Sequence, residues 1–255
     1  MDALYELTLQ NMERTLAGLV RRVPAPKRVP MGDSFAFRYV EKSIHQAIIQ
    51  KLARIISGLH AARILLESGF IQEQAALQRM LDEFQEDVTF LSYAVISNDI
   101  KDLHRTYLEA FYEEEFDKPN DAVGSTQKRS MVSRQKVRAY IARIEGSGLD
   151  ASRAVEVTRT ISKAYSGYVH GASPHIMEMY GGNPPRYHVA GLVGTPLYSH
   201  HKDDLWNYFY RGICAFGFAA KAFGDEKLFA SIREFRDDFA KRSGKADEVS
   251  SPPET

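Results

Sequence analysis

The longest apolar stripe in the chain, Val40, Ile44, Ala47, Ile48, Leu52, Ile55, Leu59, Ala62 and Leu66, repeats at helical spacing without a break until Gly69. A strand alternates every second residue, so this pattern demands a helix with one buried face. With Asp33 or Ser34 as its cap the helix spans about 35 residues, roughly 50 Å at 1.5 Å per residue. So long an apolar face needs a partner of matching length. Leu77, Met80, Leu81, Phe84, Val88, Leu91 and Val95 provide it on a helix from Ile71 to Ser97. The spacing predicts an antiparallel helix hairpin turning at Ser68-Gly69.

The same periodicity covers most of the remaining chain, and alternating strand patterns are almost absent. The fold class is therefore all-α: a helical bundle built on the long hairpin. A first amphipathic helix, residues 1–20, precedes RRVPAPKRVP, whose three prolines and four basic residues predict an extended linker over 21–32. That linker would let the first helix dock at a distance or on another chain. The bundle domain then occupies 33–242. Its further helices are expected over Ile100–Phe116, Met131–Glu145, Asp150–Gly171, Lys202–Phe223 and Asp225–Ala240, with a loop over Lys118–Ser130 and a turn at Gly146-Ser147-Gly148. GGNPPRYHVAGLVGTP, from Gly181 to Pro196, is too rich in glycine and proline for a helix and reads as an ordered loop or small hairpin. The tail, 243–255, is expected to be disordered.

Equal numbers of basic and acidic residues, 33 each, argue against a protein that coats nucleic acid or anionic membrane through a field of one sign. The start MDALYELTLQ lacks the basic and apolar regions of a secretory signal. The apolar run Leu205–Phe223 carries Asn207, Arg211 and Lys221, so it reads as a core helix with no membrane role. The single cysteine, Cys214, lies among apolar neighbours and reads as a small buried hydrophobe, which fits a reducing cytoplasm. No phosphate-binding glycine loop, nucleophile elbow or metal-ligand spacing occurs, so neither metal nor cofactor is expected. The basic stretch Lys128, Arg129, Arg134, Lys136, Arg138 and Arg143 could meet RNA phosphates, but the acidic run from Glu109 to Asp117 is expected to neutralise it. The aromatics from Trp206 to Phe218 read as core.

Two segments carry candidate chemistry. On the third helix a second stripe, Ala76, Arg79, Glu83, Glu86, Phe90 and Ala94, is apolar at both ends and charged in the middle. Arg79 and Glu83, spaced i,i+4, either form a solvated ion pair or begin a polar pocket in which the carboxylate orients a histidine. Further along, Tyr165-Ser166-Gly167-Tyr168-Val169-His170-Gly171-Ala172-Ser173-Pro174-His175 places Ser166 and His170 one turn apart, with Gly167 as a point of close approach. His170 reads either as a helix-terminal histidine favoured by the dipole or as a general acid/base with Tyr165 as donor. His175, Arg186 and His188, with Ser166, complete the candidate binding set.

Ser166-Gly167-Tyr168-Val169-His170-Gly171, downstream of the Arg79/Glu83 helix, resembles uncharacterised bacterial all-helical proteins distantly similar to the HEPN superfamily. The resemblance spans roughly Ile71–Phe223 and implies a helical bundle. Many HEPN proteins cleave RNA or act in phage defence, so it also implies an RNA-directed or phosphate-ester-directed effector. The HEPN pairing of an Arg and a His with four to six residues between them falls here at Arg38/His45 and Arg54/His60, away from His170. Under that expectation His170 and Tyr165 transfer protons while Arg79 or Arg186 stabilises a phosphate. The alternative expectation is a non-enzymatic helical protein that binds a partner or forms homo-oligomers.

Overall fold

The computed structural model describes residues 1–114, 116, 118, 121, 123–125, 131–145 and 165–247. The turn expected at Gly146, the start of the helix expected from Asp150, and the basic residues Lys128 and Arg129 lie outside them. The described helices are α1 (Asp2–Val20), α2 (Ile44–Glu67), α3 (Ile71–Ile96), α4 (Asp102–Tyr112), α5 (Arg134–Glu145), α6 (165–169), α7 (Ser173–Met177), α8 (Pro196–Ala222) and α9 (Glu226–Arg242). Two antiparallel pairs accompany them: β1 (Lys27–Met31) with β2 (Ser34–Arg38), and β3 (Tyr180–Gly181) with β4 (Arg186–Tyr187).

The α2–α3 hairpin is the spine of an all-α bundle. It turns at Gly69, whose φ of +79° a side chain would resist. Gly58 lets the two helices close, because a Cβ there would lie 2.6 Å from Leu81. α2 starts later than its apolar stripe suggests. Ser43 caps it through the Gln46 N–H, and the Gln46 side chain returns the bond to the Ser43 N–H at 3.0 Å. Val40 is left exposed.

α8 lies against both spine helices, α5 against α3, and α9 against α8. α1 is no detached arm: it packs on α2 and α8, Leu9 and Leu19 are buried in the common core, and the Tyr5 ring stacks on Phe209 at 4.3 Å. Residues 27–38 are a β-hairpin, which replaces the end of the linker expected over 21–32 and the first residues of the long helix expected from Asp33 or Ser34. A two-residue Gly32-Asp33 turn, with Gly32 at φ +58°, reverses the chain just after Pro30, the last of the three prolines. α8 begins at Pro196, capped by the Thr195 hydroxyl, and so includes His200 and His201. The first residues of the expected tail are also ordered. Trp206 Nε1 donates to Ser243 Oγ at 2.8 Å, and Lys245 N bonds to the Ala240 carbonyl.

An ionic network ties α3 to its neighbours. Asp87 meets Lys51 at 2.7 Å and Arg134 at 2.6 Å, Glu86 accepts from Arg138 Nε at 2.8 Å, and Asp82 pairs with Arg211. Arg134 and Arg138 are thus neutralised by the carboxylates of α3, where the sequence pointed to the acidic run from Glu109. The cause is tertiary, since α5 lies along α3. Removing one partner of the Arg138–Glu86 pair, buried on both sides, costs about 3–5 kcal/mol.

Candidate functional site

Residues 165–195 form a lobe over one end of the spine. Leu192, 3% exposed, donates its N–H to the Gly69 carbonyl at 2.8 Å and so pins the lobe to the α2–α3 turn. Gly171, at φ +61°, ends α6 and turns the chain into α7. The His175 imidazole then folds back onto α6, where a Cβ on Gly167 would lie 2.1 Å from the ring. The close approach suggested by the sequence is therefore real, and its partner is His175.

Beneath the lobe lies a cluster of phenols, imidazoles and carboxylates. Tyr168 Oη donates to Glu178 Oε2 at 2.8 Å, and its ring meets His175 edge-on at 4.4 Å. Gln72 Nε2 donates to both the His175 carbonyl, at 2.7 Å, and Glu178 Oε2, at 3.2 Å. Tyr165 Oη donates to Asp204 Oδ2 at 3.1 Å, and His201 Nδ1 stands 3.7 Å from the same oxygen. Burial pushes the phenols of Tyr165 and Tyr168 up, with Asp204 and Glu178 adding to it. Burial likewise holds His201 below the ordinary imidazole value, although Asp204 opposes it. At neutral pH the phenols keep their protons and His201 stays uncharged.

The sequence candidates divide accordingly. Tyr165, Ser166 and His175 belong to the lobe and its floor. His170 is exposed, and its imidazole makes no hydrogen bond, ion pair or ring contact among the described residues. Arg186 is exposed on β4, while His188 Nε2 lies 3.2 Å from the Gly181 carbonyl and closes the β3–β4 hairpin. Arg79 and Glu83 pair with each other at 2.8 Å, and no contact among the described residues links either to His170. Gln72, Glu178, His201 and Asp204 are members the sequence reading did not select. The i,i+3 spacing of His201 and Asp204 was the only local signal for them. Among the described residues no group of three or more His, Cys, Asp or Glu is arranged to hold a metal.

The β1–β2 hairpin forms a second candidate site. Its register pairs Arg28 with Phe37 and Pro30 with Phe35, which puts these four side chains on one face. The Arg28 guanidinium lies 4.4 Å from the Phe35 ring centroid, and the two phenylalanine rings meet edge-on at 5.6 Å. Phe35 is nevertheless 48% exposed and Phe37 55%. In a two-residue hairpin the closing pair, Met31 and Ser34, is hydrogen-bonded, so Pro30/Phe35 and Arg28/Phe37 turn their backbone polar groups outward. Pro30 has no N–H and blunts the outer edge of β1. Among the described residues the outer edge of β2 is unpaired, with only the Phe37 carbonyl engaged, by Arg38 Nη1 at 3.0 Å.

No family model, curated protein or solved structure matches this chain.

Proposed function

We propose that this chain is a non-catalytic association protein that pairs with a second copy of itself through the outer edge of β2. The hairpin carries this reading, because among the described residues it leaves two phenylalanines on an unpaired sheet edge, while Arg38 ties its end to Glu114 at 2.6 Å. A two-stranded hairpin is marginal in water and needs further strands or a packed face. Antiparallel pairing of β2 with its own copy about Ala36 supplies both. Phe35 then lies opposite Phe37 of the copy, and the outward N–H and C=O groups of both residues meet. The four phenylalanines become one cluster on one face of a four-stranded sheet. Arg38 falls opposite Ser34, so no like charges face each other.

The lobe favours this reading over an effector acting on RNA or phosphate esters. Its phenols already donate to carboxylates of the same cluster. Asp82, Glu178 and Asp204 there outweigh Arg211, whose guanidinium pairs with Asp82, so a phosphate would enter a negative field. Total RNA incubated with the protein is expected to stay intact with and without chelator.

Mass in solution tests the association. The wild-type chain should run at twice its 28.8 kDa at tens of micromolar. Phe35→Lys/Phe37→Lys, placed on exposed positions, should run at 28.8 kDa with unchanged helicity. A wild-type monomer at that concentration would remove the proposal.

A further inference from the structure

The lobe over the α2–α3 turn is built inside out. A third of the exposed large apolar side chains among the described residues fall between Val169 and Val193, about a tenth of the chain. Val169, Ile176, Met177, Val189 and Val193 face solvent, while Glu178 turns inward and accepts from Tyr168 and Gln72. Exposed apolar side chains gathered on one stretch mark a surface that meets a partner or a membrane. The β3–β4 hairpin makes part of this face continuous. Tyr180 and Tyr187 pair across it with their rings edge-on at 4.9 Å, and Tyr187 Oη donates to Met177 Sδ at 3.3 Å. A thioether is a weak acceptor, so that phenol has a better bond to gain from an ester or phosphate oxygen.

Charge narrows the occupant. From Tyr165 to Thr195 the chain has one acid, Glu178, already engaged, one arginine and no lysine. Arg186 is exposed, and its guanidinium has no ion pair among the described residues. It alternates away from Tyr187 along β4, which puts it at the rim of the apolar face. Aliphatic side chains beside tyrosines, a cation at the rim and no free carboxylate complement an anionic bilayer, where tyrosine and arginine settle at headgroup depth. The carboxylates that disfavour a phosphate in the cluster, Glu178 and Asp204, are bonded to Tyr168 and Tyr165 beneath the lobe. No helix among the described residues is long and apolar enough to cross a membrane, so what the lobe offers is a contact with the bilayer surface.

We propose that this lobe docks on an anionic phospholipid surface. Its valines, Ile176 and Met177 enter the boundary between headgroups and acyl chains, Tyr180 and Tyr187 lie at headgroup level, and Arg186 meets a lipid phosphate. Insertion of apolar side chains drives the contact, so a net charge of zero does not oppose it. The proposal is independent of the β2 edge, which lies on other elements.

Co-sedimentation of the full chain with vesicles tests it. With equal parts phosphatidylcholine and phosphatidylglycerol the chain should pellet at millimolar lipid, and with phosphatidylcholine alone it should bind several-fold more weakly. Val189 and Val193 are 72% and 60% exposed, so Val189→Asn/Val193→Asn leaves both the core and the net charge alone. That variant should bind about tenfold more weakly or worse, with unchanged helicity. Arg186→Gln should lose about fivefold on the mixed vesicles and nothing on phosphatidylcholine, and it serves if the valine variant does not fold. A wild-type chain left in the supernatant with both vesicles would overturn the proposal. So would equal binding to the two vesicles, or a valine variant that pellets like wild type. A valine variant that loses mass in solution while wild type ignores lipid would make the face a contact between copies, and that too would overturn it.

Discussion

His104 is fully buried, stacked on Phe90 at 4.4 Å and edge-on to Tyr140 at 4.5 Å. Its Nδ1 accepts the Lys101 N–H at 2.9 Å, closing the first turn of α4. Burial depresses its pKa to about 4, with Lys101 and Arg143 also lowering it and Asp99 opposing. The unfolded chain therefore binds a proton at higher pH than the folded one. The stability that the neutral ring contributes is complete above an ordinary histidine pKa near 6.5 and is lost as pH falls from there towards 4. His104→Gln keeps the backward cap and cannot titrate. Denaturant midpoints from pH 7 to pH 4 should fall less steeply for it than for wild type, and parallel slopes would refute the assignment. Gly167→Ala places a methyl inside the His175 ring position, so the lobe should open and Tm should drop by several degrees. His170 stood out in the sequence through its neighbours, whereas burial, which singles out His104 and His201, depends on which distant helix covers a residue. No local pattern carries that information.

At the level of elements, α3 buries an unusual polar row: Gln74, Gln78, Asp82 and Gln85 follow one another at three- and four-residue spacing. Asp82 and Gln85 find partners on α8, but both amide atoms of Gln74 and of Gln78 are buried without a hydrogen bond. Each such amide costs about 1–3 kcal/mol, and methionine has a similar volume. Gln78→Met should therefore raise Tm, by about 2–4 °C for each kcal/mol gained in a chain of this size. A lower Tm in a scanning melt would show that the amide is satisfied in solution. The apolar stripes of α2 and α3 were legible because both helices present one face to the core. The polar row was not, because glutamine on a helix ordinarily means solvent. The β1–β2 hairpin was legible in part. Gly32-Asp33 between Met31 and Ser34 is a two-residue hairpin turn, but the prolines of RRVPAPKRVP pointed to an extended linker. Pro30 is tolerated because it sits on an outer edge where no N–H is needed.

One continuous core joins Leu4, Leu9 and Leu19 of α1 to Leu52 and Leu59 of α2, Phe209 and Phe216 of α8 and Phe239 of α9. Sequence patterning found the helices but not this continuity, since a proline-rich break after α1 is equally consistent with a helix docked elsewhere. The shared core makes unfolding a property of the whole bundle. Leu9, fully buried between α1 and its neighbours, decides the matter. If α1 were separable, Leu9→Ala would melt it alone, and helicity would fall before the remaining core responded. The single tryptophan, Trp206, reports that core: its ring stacks on Phe239 at 5.8 Å, and Phe239 in turn lies 6.3 Å from Tyr5 of α1. The expected cost of Leu9→Ala is about 2–5 kcal/mol. Far-ultraviolet dichroism and tryptophan fluorescence should record it as one displaced transition with the same midpoint. Two separated midpoints would mean that α1 leaves first and that the bundle stands without it.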